Sequence, residues 1–184
     1  MYYMNPQEII FSERPIAVTD LEFTGLDPDR HEIIEIGLVV LDPHTLETLR
    51  EWEIYVAPQH MERADPEALK IAGYAPAAWH DATRGDIALM QFLEHTRGTV
   101  FAAWGAMDWI FITKAMREHR LEPNNYFFKH PRDIWSICCA LYQQRIQETG
   151  ISNPSLSWLR RTRHPERAGS APRLKRRTAS RSGL

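Results

Sequence analysis

Cysteine is nearly missing from this chain: its two copies, Cys138 and Cys139, are adjacent. Neighbouring thiols have no CxxC spacing, so neither a zinc site nor a disulfide framework is indicated, and a reducing, cytoplasmic compartment fits. No apolar run reaches the roughly 20 residues of a membrane span, so a soluble chain with no membrane partner is expected. The opening MYYMNPQEII has neither the basic start nor the long apolar core of a signal peptide. There are no internal repeats. Aspartate stops at Asp133 and aromatic residues stop at Trp158. Residues 160–184 hold only two Leu among many Arg, Ser, Ala, Pro and Gly, a composition that cannot join a core and predicts disorder.

What is present divides by charge. The formal net charge is −2, yet nine of the 22 Lys and Arg and one of the 24 acids lie from Arg160 onward. That leaves 13 basic against 23 acidic residues in the body, and a strongly basic tail. Such a tail is one form of nucleic-acid arm. With 184 residues, 43% of them hydrophobic, the chain has room for one ordinary domain, which we place at residues 1–159, followed by the tail at 160–184.

The body is organised around residues 16–42, IAVTDLEFTGLDPDRHEIIEIGLVVLD. Two apolar runs joined by a turn-rich link predict a hairpin-like strand pair. Residues 48–57 alternate apolar and polar residues and predict a third, antiparallel strand. Asp65-Pro66 predicts a helix start, with Asp65 as N-cap and Gly73 as the stop. Helical spacing follows over residues 83–95, a buried strand over 99–104, and amphipathic helices over 107–119 and 132–147, with Asp133 reading as an N-cap. A further helix is expected from Asn153. This order predicts an α/β domain with a mixed sheet of about five strands flanked by helices.

Asp20 and Glu22 sit two apart on the first strand, so both side chains share one face. Two acids side by side repel, and a hard divalent cation held by oxygen ligands is the economical offset. If the strand at 99–104 runs parallel beside the first, Asp108 reaches the same sheet end. Three carboxylates there could hold two Mg²⁺ or Mn²⁺ ions, an arrangement suited to phosphodiester cleavage. The bare Asp-x-Glu pattern is equally satisfied by a solvated strand end.

The surrounding residues add specificity. DLEFTGLDPDRHEIIEIG, the segment ADPEALKIAGY and the later AAWGAMDWIFITKAM resemble the DEDD-type 3′–5′ exonucleases, the superfamily of polymerase proofreading subunits and oligoribonucleases. The resemblance covers about residues 16–159 and implies an RNase H-like fold. It implies metal-binding and catalytic roles for Asp20, Glu22 and Asp108, with Mg²⁺ or Mn²⁺ as cofactor. It also implies that Phe23, Thr24 and Leu26 contact the 3′-terminal nucleotide, the backbone cradling it and Leu26 acting as a wedge. The substrate would be the 3′ end of single-stranded DNA or RNA. Trp104 and Trp109 are candidates to stack on bases, and Trp109 reads first as core. Glu35 is expected to be structural. His31-Glu32 is expected on a strand and lacks the second histidine of a zinc-protease helix, while His44, His60, His80, His95, His119 and His130 fall at turns or helix ends.

One family motif is missing. The resemblance calls for a His, four residues, then an Asp on a last helix, as general base and fourth metal ligand. No Asp follows Asp133, and His164 has Gly169 five residues on. Reading the codons of residues 171–178 one nucleotide out of frame, with third letters free, permits His-His-Ala-Leu-Asn-Asp-Ala-Leu. The Ala171 codon then becomes a histidine codon and the Arg176 codon an aspartate codon, the required spacing. A frameshift near Arg160 is therefore expected to have replaced the last helix, leaving the activity impaired. A catalytically inactive nucleic-acid- or partner-binding domain on the same scaffold is the alternative.

Overall fold

A computed structural model describes residues 13–127 and 130–149 of the chain. The strands are β1 (Ile16–Phe23), β2 (Ile33–Leu41) and β3 (Thr48–Ala57), then the two-residue β4 (Thr83–Arg84), β5 (Val100–Ala103) and the two-residue β6 (Arg132–Asp133). The helices are α1 (Pro66–Ala72), α2 (Gly85–His95), α3 (Met107–Glu118) and α4 (Ile134–Thr149). The chain divides into two compact units after Ala140, and α4 runs across that division. The sheet and the candidate site described below belong to the first unit.

The sheet order is β4-β3-β2-β1-β5-β6. β1–β2 and β2–β3 are antiparallel, whereas β1–β5, β5–β6 and β3–β4 are parallel. This is the mixed α/β sheet that the residue pattern predicts, and β5 does lie parallel beside β1. β4 and β6 bring the total to six. Each is too short to carry an alternating pattern, so the sequence merges them into the helices that follow. Their helices accordingly begin at Gly85 and Ile134. The expected helix from Asn153, the replaced last helix and the disordered tail lie outside the described residues.

Alternation along β1 separates two faces. Ala17, Thr19 and Leu21 are buried, and across the ladder they meet Val40, Leu38 and Ile36. Those residues join Phe92 and Leu93 of α2 and Phe111, Ile112 and Met116 of α3 in one apolar core. The intervening residues of β1, Asp20 and Glu22, therefore project from the opposite face.

Local signals set the helices. Asp65 caps α1, its Oδ1 accepting the Glu67 amide at 2.9 Å, with Pro66 in the first helical position. Gly73 ends the helix in the left-handed region at φ 67°, which glycine adopts without strain.

Candidate active site

Three elements deliver the acids. β1 carries Asp20 and Glu22 at its C-terminal end. Beyond Val18 the β1–β5 ladder has ended, so the amide of Leu21 has no ladder partner on that side. Asp108, in the first turn of α3, supplies one: its Oδ1 accepts the Leu21 N–H at 2.9 Å. A loop of three residues after β5 thus returns the chain to β1 and sets the third acid beside the first two. The sequence expectation that Asp108 shares their sheet end agrees with this placement.

The electrostatics follow from that crowding. Burial, opposed by the Leu21 hydrogen bond and reinforced by the charges of Asp20 and Glu22, pushes Asp108 up to about 6. Asp20 remains exposed at its surface, yet protein packed around its carboxyl raises its pKa as well. Glu22 stands directly across the ladder from Glu35, and Asp20 across from Gly37. The strand end therefore concentrates negative charge. Among the described residues, no three acid, imidazole or thiol groups converge into a ready-made ion cage. The donors themselves, carboxylate oxygens under mutual repulsion, are of the kind a hard divalent cation takes.

The loop after β1 is built from fixed parts. Thr24 is buried; its N–H donates to the Glu32 carbonyl at 2.9 Å, its Oγ1 accepts the Glu32 amide at 2.9 Å, and its carbonyl accepts the Asp65 amide at 2.7 Å. Phe23 is held by stacking on Phe111, with centroids 4.1 Å apart. Leu26, by contrast, is 71% exposed at the turn.

His31 is a residue whose part the sequence does not reveal. It precedes β2 rather than lying on it, and its Nδ1 is 3.4 Å from Thr24 Oγ1. A Cβ at Gly25 would come within 2.6 Å of three imidazole atoms. Gly25 is thus the vacancy in which the ring lies, buttressing the loop from behind. No spacing rule links positions 25 and 31; only the hairpin geometry does.

Trp109 packs against Phe101 and Phe127, at 5.1 and 5.8 Å between centroids, and serves the core as expected. Trp104 is 37% exposed and meets Trp135 edge to face. Asp133 is the N-cap of α4: its Oδ1 accepts the Trp135 amide at 3.0 Å and its Oδ2 accepts the Ser136 hydroxyl.

Comparison with known proteins shows the family and the fold. The model of the Exonuclease family (RNase_T) matches residues 17–160, most of the chain. The oligoribonuclease of Halorhodospira halophila is 46% identical over 55 residues, 30% of each chain. Exonuclease I in the ExoI/SSB-Ct complex superposes with a TM-score of 0.65 at 14% identity, covering 78% of this chain and 32% of its own. E. coli exonuclease I in complex with a dA16 oligonucleotide gives 0.64 at 14% identity, covering 77% and 32%. At such identity these structures share the fold. The chain spans about a third of the length of these relatives.

Proposed function

We propose that this chain, which belongs to the exonuclease family, acts on the 3′ ends of single-stranded DNA or RNA by divalent-metal-assisted hydrolysis of the terminal phosphodiester. The observation that carries the reading is the Asp108–Leu21 hydrogen bond, because it seats a third acid at the strand end that bears Asp20 and Glu22. These three carboxylates would hold Mg²⁺ or Mn²⁺, two ions in the complete family site. The cations would supply the positive charge that phosphoryl chemistry needs at an otherwise anionic strand end.

The remaining roles belong to the chain. The loop that the Thr24 hydrogen bonds hold rigid positions the terminal nucleotide, and Leu26 inserts beside its base. Asp20, on the open face of β1, is the acid nearest the incoming phosphate. Asp108, tied to Leu21, holds the strand end and helix α3 in one register.

A second reading is favoured by a specific observation: the sequence contains no His-x4-Asp pair after Asp133. Without that base, hydrolysis should be slower by roughly two to four orders of magnitude. The chain would then bind single-stranded ends, or a partner, with little turnover. One assay separates the two readings. A 5′-labelled single-stranded oligonucleotide is incubated with Mg²⁺ and resolved by length, with Asp20→Ala as control. We expect tight-binding signals and at most slow laddering. Fast laddering abolished by Asp20→Ala would overturn the impairment while upholding the exonuclease. A strand neither bound nor shortened would overturn both.

A further inference from the structure

The site described so far handles a phosphate and a sugar end; it leaves the aromatic pair beside it without a task. Trp104 follows β5 directly. In the β1–β5 ladder Val18 is level with Ala102. Two residues beyond Val18, β1 carries Asp20; the chain leaves β5 at Trp104 and enters the three-residue bend that leads to α3. Trp104 thus opens the bend that leads to Asp108, the acid hydrogen-bonded to Leu21 of β1. Most tryptophans this close to a core are enclosed, yet Trp104 is 37% exposed.

Its surroundings hold the ring in place without covering it. Trp135 meets Trp104 at 63° with 5.5 Å between centroids. An edge-to-face partner fixes the ring by its edge contacts and leaves a π-face for another aromatic. The two residues are also joined through one carboxylate. Asp133 Oδ1 accepts the amide of Gly105 at 3.0 Å and that of Trp135 at 3.0 Å. Gly105 has φ 98°, and nothing lies within 4 Å of where its Cβ would be. Its glycine identity thus serves the backbone bend and not packing. The bend turns the chain from Trp104 toward Asp108 within four residues. Ring, bend and third acid are one mechanical unit.

The geometry points to Trp104, braced by Trp135, as the stacking platform for an unpaired nucleobase next to the scissile phosphate, so that the substrate must present free bases at its end. The inference rests on the exonuclease reading above and deepens it. A π-face accepts any base, so the subsite is indifferent to sequence. It refuses a paired end, where the base's faces are already occupied by its stack. Trp104 touches substrate but no reacting atom, and its contribution is to position the strand. Trp135 and Asp133 act through it.

The test uses the full chain and two probes: a 5′-fluorescein single-stranded oligonucleotide, and the same strand with abasic residues at its 3′ end. Binding is read by anisotropy in EDTA, so turnover does not enter. One base stacked on an aromatic ring contributes about 1–3 kcal/mol, which is roughly 5- to 150-fold in Kd. We expect Trp104→Ala to lose a factor in that range for the base-bearing strand and none for the abasic strand. Trp104→Phe should keep most of the affinity. Circular dichroism and Tm of each variant show whether it is folded; Trp104→Phe, the milder change, serves if Trp104→Ala is not. The platform is overturned if the wild-type chain binds both strands alike, or if Trp104→Ala lowers Tm while the ratio of the two affinities stays at its wild-type value. Failure to bind either strand would overturn it together with the exonuclease reading, and so stands apart from those outcomes.

Discussion

At the scale of single residues, Asp108 carries the most testable physics. Its carboxyl is buried, and its pKa stands at about 6 in the absence of a cation. In the unfolded chain it returns to about 3.9. The folded state therefore binds this proton more tightly than the unfolded state does. Stability from this group is full below pH ~4 and declines as pH rises through about 6. Above that pH the buried charge costs on the order of 3 kcal/mol. Asp108→Asn keeps an oxygen for the Leu21 amide and removes the charge. In EDTA at pH 7.5 the variant should melt above the wild type, by a few degrees for a chain of this size. At pH 4.5 the two should nearly coincide. Adding Mg²⁺ should raise the wild-type Tm and leave the variant unmoved. A variant that melts lower at pH 7.5 would mean that the carboxylate is compensated by something other than a cation. The placement of Asp20 and Glu22 on one face of β1 was legible from strand periodicity, and that of Asp108 at the same strand end from its position after a buried strand. His31 and Trp135 were not, because their importance lies in contacts that the hairpin and the β5–α3 bend create.

At the scale of elements, the long, periodic segments were readable and the short ones were not. β3 spans residues 48–57 as its alternation predicts, and α1 is bracketed by Asp65 and Gly73. β4 and β6 have two residues each and exist because a neighbouring strand extends a free edge to them. Nothing in two residues announces that. Asp133 shows how much such a short element can carry. It ends β6, caps α4 and tethers Gly105. The Ser136 hydroxyl and the amides of Gly105, Ser136 and Trp135 hold its carboxyl below the usual carboxylate range, against a burial effect that raises it. A depressed pKa means that this stabilisation is present above the ordinary carboxylate range and fades as pH falls through it. Asp133→Ala should cost about 1 kcal/mol as a lost cap, and about 2–4 °C in Tm. Because the Gly105 tether goes with the cap, oligonucleotide affinity should fall as well. Ser136→Ala, which removes one hydrogen bond and leaves the tether, should lower Tm slightly and leave affinity intact. Equal affinity losses in the two variants would separate the tether from substrate binding.

At the scale of the whole molecule, the break at Arg160 decides what the fold can do. The match to the Exonuclease family ends at residue 160, and from that residue on the sequence has no aromatic side chain and nine basic ones. In the exonuclease reading the acids of β1 and α3 need a base to activate water, and no His-x4-Asp pair follows Asp133. A reading-frame slip accounts for the arginine excess and the missing pair together. A genuine basic arm accounts only for the first. The two separate at the gene. Resequencing across the Arg160 codon should reveal a single-base shift after which the Ala171 and Arg176 codons read histidine and aspartate within an apolar, helix-spaced segment. Expressed in that frame, the chain should gain Mg²⁺-dependent 3′ trimming by roughly two to four orders of magnitude over the present chain. Its oligonucleotide binding should meanwhile lose the steep salt dependence that nine clustered cations confer. If no shift restores the pair, the tail is an arm, and its deletion should flatten the salt dependence without changing the rate of trimming at saturating substrate.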